Sequence, residues 1–217
     1  MFAKIKEIFE SIQGEGILVG LKQIFVRFAG CNLNCAYCDT NTDDDVMELI
    51  EEELFDKVKK MDSTSISLTG GEPLLHVDFI KSFLTKYKKY LNKEIYLETN
   101  GTLCENLAEI IDLVDVVAMD VKIESATGEV NNFDLNKQFL EIAKDKVFIK
   151  VVFDKNITED EIENILYLAK ESDAPLILQP KTPIDDDIDL LEIYNKFYEN
   201  YQDTRLIPQT HKFLGVI

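Results

Sequence analysis

Cys31, Cys35 and Cys38, spaced C-x3-C-x2-C in Gly30-Cys31-Asn32-Leu33-Asn34-Cys35-Ala36-Tyr37-Cys38-Asp39-Thr40, carry the most legible chemistry of this chain. Thiolates bind soft metals, and both structural zinc sites and ordinary electron-transfer Fe–S clusters take four protein ligands. Three close cysteines with no fourth beside them therefore point to an iron–sulfur cluster that keeps one coordination position open for a small molecule. The alternative is a zinc site completed by Cys104, His76 or His211. Zinc cysteines more often come as two paired knuckles.

Other candidates are scattered along the chain. Gly70-Gly71-Glu72-Pro73 offers backbone that a ligand can approach closely, with a carboxylate able to accept from an ammonium group, or else it is a plain turn. It lacks the glycine spacing and the Lys-Ser/Thr end of a phosphate loop. Thr40 either caps a turn or offers a neutral oxygen to magnesium. Arg27 is either a surface ion-pair partner or a cation for an anionic ligand, and Gln13 and Glu15 supply bidentate hydrogen-bonding groups. His211 reads as a surface histidine or a substrate contact.

The elements that must position these residues alternate between β-branched apolar runs and helical-period segments. Strands are expected over 23–29, 65–69, 94–98, 114–119, 147–153, 176–178 and 205–207, with helices over 45–60, 77–90, 104–113, 136–144, 158–171 and 188–200. Thr158 with Glu161 three residues on is a capping-box pattern. The rhythm implies an α/β fold with a mostly parallel sheet. Six or so βα units fall short of a full eight-unit barrel, so the expectation is a partial (βα)6-type parallel barrel over 23–217, with 1–22 as a short N-terminal extension in a single domain. In such folds chemistry sits at the carboxyl ends of strands. The cysteine loop, Thr69-Gly70-Gly71-Glu72-Pro73, Thr99-Asn100-Gly101, Asp120-Val121-Lys122, Gln179-Pro180 and Pro208-Gln209-Thr210-His211-Lys212 all follow expected strands. In strand 23–29, Phe25, Arg27 and Ala29 alternate with Ile24, Val26 and Phe28, so Arg27 is expected to point into the barrel, where a buried arginine needs a partner.

With 217 residues, 46% of them hydrophobic, the chain can bury one substantial core. No linker, repeat or membrane-length apolar run divides it. Its formal charge of -18 disfavours nonspecific nucleic-acid or anionic-membrane binding, which leaves small molecules as the expected partners. Acidic runs such as Glu51-Glu52-Glu53 and Asp185-Asp186-Asp187 read as solvated faces at helix starts. The opening Met1-Phe2-Ala3-Lys4 does not read as a secretory signal, nor the clustered cysteines as a disulfide framework. The expected compartment is the cytoplasm.

The cysteine loop with Tyr37 before its last cysteine, followed by Gly70-Gly71-Glu72, resembles the radical S-adenosylmethionine superfamily. Together with the opening Glu7-Ile8-Phe9-Glu10-Ser11-Ile12-Gln13-Gly14-Glu15-Gly16, Gly20, Arg27, Cys38-Asp39-Thr40, Glu98-Thr99-Asn100-Gly101, Gln179-Pro180 and the terminal Pro208-Gln209-Thr210-His211-Lys212, it is similar to the 7-carboxy-7-deazaguanine synthase family over nearly its whole length. The resemblance implies a 4Fe-4S cluster on Cys31, Cys35 and Cys38, with S-adenosylmethionine on its fourth iron. It implies cofactor contacts from Tyr37, Cys38, Asp39, Gly71, Glu72, Asp120, Val121, Lys122 and Gln179, and Mg2+ on Thr40. Ile12, Gln13, Gly14, Glu15, Arg27, Thr69, His211 and the terminal Ile217 would hold a pterin. The implied reaction is ring contraction of 6-carboxy-5,6,7,8-tetrahydropterin to 7-carboxy-7-deazaguanine with loss of ammonia, fed by an electron donor such as flavodoxin or ferredoxin, in a homodimer. Many family members carry Ser-Pro-Lys where this chain has Asp120-Val121-Lys122, so only Lys122 matches there. An activase that installs a glycyl radical would share the cysteine loop but has no use for Gln13-Gly14-Glu15-Gly16, and a zinc-binding module would be colourless when purified without oxygen.

Overall fold

In the computed structural model, residues 1–38 and 45–216 are described. The expected parallel core is present: β2 (Lys22–Phe28), β4 (Ser65–Gly70), β5 (Glu94–Thr99), β6 (Val116–Val121), β7 (Val147–Phe153), β8 (Leu176–Pro180) and β9 (Thr204–Leu206) pair in sequence order, each parallel to the last. Two further strands, β1 (Phe2–Ile12) and β3 (Met47–Ile50), extend the β2 edge antiparallel, giving the order β3-β1-β2-β4-β5-β6-β7-β8-β9. The two ends of that order do not pair, so the barrel is partial. Crossovers run through α1 (Glu51–Val58), α2 (Val77–Leu91), α3 (Cys104–Ile110), α5 (Phe133–Ala143), α6 (Glu159–Ser172) and α7 (Leu190–Tyr198). Two short helices, α4 (Glu124–Thr127) and α8 (Thr210–Leu214), follow β6 and β9.

Three expectations need correction. The N-terminal extension, for which no strand was expected, carries one: residues 2–12 form an eleven-residue strand whose Ala3 and Ile5 are buried. The helix expected over 45–60 begins only at Glu51, because Met47–Ile50 pair with Phe2–Ile5 as β3. That stretch has ordinary helix-forming residues, but pairing with a neighbouring strand outweighs a local preference worth tenths of a kcal/mol per residue. The helix expected over 104–113 ends at Ile110 and tightens into a 3-10 turn. The capping box stands: Glu161 N donates to Thr158 Oγ1 at 3.2 Å and Thr158 N to Glu161 Oε2 at 2.9 Å.

Alternation along the strands sorts side chains onto two unlike faces. Ile24, Val26, Phe28, Ile66, Leu68, Ile95, Leu97, Val117, Met119 and Val121 join one apolar core with the helices. The opposite face carries a small apolar plug, Tyr96, Ala118, Phe148 and Ile177, and beyond it polar residues toward the carboxyl ends. Because β7 is buried along its whole length, its one charged residue, Lys150, stands out in Val-Phe-Ile-Lys-Val-Val-Phe.

Candidate active site

The cysteine loop is anchored at its base by glycines. Gly71 N donates to Phe28 O at 3.1 Å and Glu72 N to Gly30 O at 2.8 Å. A Cβ on Gly71 would stand 2.0 Å from Gly30 O, so this approach is open only to glycine. The close approach made by Gly71 is thus to the cysteine loop itself, and that made by Gly70 is to Phe28 at the end of β2. Asn32 holds the loop to the β5 end, donating to Thr102 Oγ1 at 2.9 Å and accepting from Asn100 Nδ2 at 2.8 Å. On its other side Asn34 N donates to Glu129 Oε1 and Ala36 N to Thr127 O, both at 2.8 Å.

Cys31, Cys35, Tyr37 and Cys38 wall a cavity of about 710 Å³ at the carboxyl ends of the strands. Burial pushes the Cys31 and Cys35 thiols up, so their thiolates call for a positive partner such as iron. Among the described residues no three His, Cys, Asp or Glu side chains gather tightly enough to hold a single ion. A four-iron cluster does not ask for that, since each cysteine binds its own iron. Cys104 donates to Leu135 O at 3.3 Å and His76 meets Ala29 O at 2.8 Å, and neither lines the cavity.

Of the expected cofactor residues, Tyr37, Cys38, Gly71, Asp120, Lys122 and Gln179 line this cavity. Gln179 is fully buried, and neither its Nε2 nor its Oε1 has a partner among the described residues; the same holds for Asp120 Oδ1. Such groups cost free energy unless a ligand satisfies them, so the donor and acceptor set fits a polar cofactor. Glu72 and Val121 are not among the residues lining the cavity. Glu72 has no exposed surface, and its carboxylate accepts from Leu74 N, Thr99 Oγ1 and Asn100 N at 2.8–3.0 Å. Burial pushes that carboxyl up to about 7 in spite of these donors. The side chain braces the β4 and β5 ends, which in turn hold Asn32. Val121 faces the helices, inside the apolar core, as strand alternation requires.

Every described residue expected to hold the substrate lines a second, smaller cavity of about 140 Å³: Ile12, Gln13, Gly14, Glu15, Arg27, Thr69 and His211. The two cavities share Glu15, Arg27, Thr69, Glu98 and Gln209, so they adjoin. His211 packs so closely on Gly14 that a Cβ there would meet its ring at 2.1 Å, and Thr210 N donates to Gly14 O at 2.9 Å. Arg27 faces inward as expected, but its partner is within the chain. Its Nε donates to Glu7 Oε1 at 2.7 Å, directly across the β1–β2 ladder. Asp39, Thr40 and Ile217 lie outside the described residues.

The structure adds residues that the sequence reading passed over. Glu98 accepts from Gln13 Nε2 at 2.8 Å, Ser67 Oγ at 3.2 Å and Thr69 Oγ1 at 2.9 Å, at the seam of the two cavities. Gln209 Nε2 donates to Glu15 Oε1 at 2.8 Å, and Lys150 pairs with both Glu15 and Asp120. Burial raises the Glu15 carboxyl, but Lys150 and Gln209 outweigh it and hold it down at about 2. A charged residue inside an otherwise apolar strand was the available signal for Lys150. Glu98 opens the Glu98-Thr99-Asn100-Gly101 stretch, and its type alone assigns it no role.

Known proteins agree with this geometry. The radical SAM superfamily model matches residues 25–195. A 7-carboxy-7-deazaguanine synthase of Geobacter sulfurreducens is 36% identical over 98% of this chain and 97% of its own length. One from Archaeoglobus fulgidus is 36% identical over the whole of both chains. In fold, the chain is similar to the crystal structure of QueE from Escherichia coli, with a TM-score of 0.70 at 22% identity over 97% of this chain and 95% of that one. With its cysteine loop, glycine anchor and two adjoining cavities, the chain belongs to the radical SAM superfamily and, within it, to the 7-carboxy-7-deazaguanine synthase family.

Proposed function

We propose that this chain is a carbon–nitrogen lyase that converts 6-carboxy-5,6,7,8-tetrahydropterin to 7-carboxy-7-deazaguanine with loss of ammonia, in the synthesis of 7-deazapurines such as queuosine and archaeosine. The observation that carries it is the adjoining of a cavity lined by the pterin-type residues with one walled by Cys31, Cys35 and Cys38. When bound, the 4Fe-4S cluster and S-adenosylmethionine supply one-electron chemistry able to remove hydrogen from an unactivated carbon.

The chain's own residues then have separable tasks. Arg27 offers a cation to the pterin carboxylate, with Thr69 beside it in register on β4. Glu98 and Glu15 present carboxylate oxygens to the N–H groups of the guanidine edge. Gln13 is buried, donates to Gln23 Oε1 at 2.9 Å as well as to Glu98, and accepts from Glu15 N at 3.1 Å, so it fixes the Glu98 carboxylate and the backbone of Glu15. Gln179, Asp120 and Lys122 face the cofactor. Enclosure of both ligands keeps water from a reactive carbon centre.

Further parts of the reading rest on the family resemblance. Mg2+ on Thr40 would meet the substrate carboxylate as a hard cation with waters retained. The electron donor is a small redox protein such as flavodoxin or ferredoxin, and the active species is a homodimer, in keeping with the exposed Phe213 and Leu214 on α8. No described helix is long and apolar enough to cross a membrane. Oxygen-labile iron and four cysteines outside disulfides favour a reducing cytoplasm.

The test is incubation of anaerobically reconstituted protein with reductant, S-adenosylmethionine, Mg2+ and 6-carboxy-5,6,7,8-tetrahydropterin. Formation of 7-carboxy-7-deazaguanine is expected. Cofactor cleavage without that product would sink the assignment, and a colourless protein with stoichiometric zinc would remove the cluster as well.

A further inference from the structure

Four side chains of alternating charge, ending on a tyrosine hydroxyl, form a ladder along the cavity wall. Glu15, after β1, pairs with Lys150 of β7. Lys150 Nζ also lies 3.0 Å from Asp120 Oδ2 on β6, its neighbour in register. The same oxygen accepts from Lys122 Nζ at 2.9 Å, and Lys122 donates to Tyr37 Oη at 3.1 Å with its ammonium 5.2 Å from the ring centroid. The ladder thus starts in the segment lining the smaller cavity and ends beside Cys38.

Lys150 joins Glu15 to Asp120 and is the rigid rung. Its side chain is 9% exposed and its backbone lies in a strand paired on both sides and buried throughout. Burial by itself favours a neutral amine, but Asp120 and Glu15 reverse this and keep Lys150 charged. Buried ion pairs return little net stability because desolvation offsets the attraction, so stability alone is a poor reason to keep one; fixing a geometry is a better-attested one. Asp120 fits that view, since one oxygen is held between two ammonium groups, while the other is buried with no hydrogen-bond partner among the described residues.

We propose that Lys150 is a positioning residue that holds Glu15 and the segment around it at a fixed distance from Asp120, so that substrate and cofactor meet in register. The proposal rests on the reading that both ligands occupy these cavities. Lys150→Met keeps length and bulk but leaves two buried carboxylates facing each other, which pushes Glu15 outward. Lys150→Arg keeps the bridge.

Amide hydrogen exchange on the cluster-loaded protein without either ligand tests this independently of turnover. Lys150→Met should raise exchange at least tenfold in residues 13–21, and Lys150→Arg should restore protection. In ligand assays Lys150→Met should weaken pterin binding at least tenfold, shift cofactor binding less than twofold, and raise cofactor cleaved per product formed. Unchanged exchange at 13–21 would overturn the proposal. So would loss of protection spread over β6–β8 in its place, or a Lys150→Arg variant as impaired as Lys150→Met. Should Lys150→Met fail to fold, Glu15→Gln cuts the same rung without touching β7, and unchanged exchange at 13–21 in that variant overturns the proposal equally. A wild-type protein that makes no deazapurine refutes the assigned reaction, whereas the exchange result judges the ladder.

Discussion

The two faces of this sheet are built from adjacent residues and do opposite work. Toward the helices, Val26, Leu68, Leu97, Met119, Val151 and Leu178 are all buried in one apolar core. One residue further along the same strands, Arg27, Thr69, Glu98, Asp120, Val152 and Gln179 line the larger cavity, and five of the six are polar. The outer face gains from removing carbon from water, at about 25 cal/mol per Å². The inner face holds charge and unpartnered polar atoms near low-dielectric walls, an arrangement that costs stability and becomes favourable once ligands complete it. The lesson is a division of labour at single-residue resolution: stability is read on one parity of each strand and chemistry on the other.

The largest effect is expected where the inner face meets the cysteine loop. Cys35→Ala should abolish iron loading and product while leaving a cooperative melt, because the half-exposed thiol contributes little to the core; iron content, absorbance and calorimetry together check this. A variant that fails to fold would break the division drawn above.

Next comes a pair chosen from opposite faces. Leu97→Ala should cost about 2–5 kcal/mol in urea unfolding, yet keep near-normal turnover per folded molecule. Arg27→Ala should lose product at least about a hundredfold, the scale of about 3 kcal/mol in a transition state. Its melting should change little, since a partly exposed ion pair such as Arg27–Glu7 is worth about 0.2–1 kcal/mol. Uncoupled cleavage of S-adenosylmethionine should persist in Arg27→Ala, and retention of normal pterin affinity would count against Arg27 as a substrate ligand.

Gly71→Ala sharpens the comparison at the seam between the faces. Its new methyl group collides with Gly30 O, so the loop must shift, with about 1–3 kcal/mol of strain and a reduced yield of reconstituted cluster. An iron-loading titration with unchanged stoichiometry would show that the loop tolerates the shift.

The smallest expected effect at neutral pH is a pH dependence that shows only on acidification. Glu15 has a folded pKa near 2, below its ordinary 4.5, so the stability it contributes is complete above 4.5 and is lost as pH falls toward 2. That contribution is on the order of 3 kcal/mol at most, and Glu15→Gln should flatten the acid limb of a stability curve. Glu72 acts with opposite sign: its raised pKa means the folded state binds more protons between 4.5 and about 7, so stability declines over that window as pH rises. Glu72→Gln should remove that decline, and an unchanged slope would show that other groups set it.

Much of this was legible in residue order. The parallel core, the six crossovers and the carboxyl-end placement of the motifs follow from hydrophobic period and from the handedness rules of βα units. The inward direction of Arg27 followed from period-two alternation alone. Residues 2–12 and 47–50 were not read as strands, because a strand edge gains its stability from a partner distant in sequence; Met47 pairs with Ile5. The side-chain directions of Glu72 and Val121 were not legible for a related reason. A motif gives types and spacing but not the side to which a side chain turns, and Val121 turned to the core while Glu72 turned to Thr99 and Asn100.

By itself the sequence determined that three thiolates with an open fourth position lie at a strand end and that a parallel α/β sheet presents them, since ligand spacing and hydrophobic period are local quantities. Only the tertiary structure decided that Glu15, Glu98, Asp120, Lys150 and Gln209 line one cavity, separated by up to 194 positions between Glu15 and Gln209. Charge pairing acts through space within a few ångströms, and nothing in the linear order records which distant strand ends will stand that close.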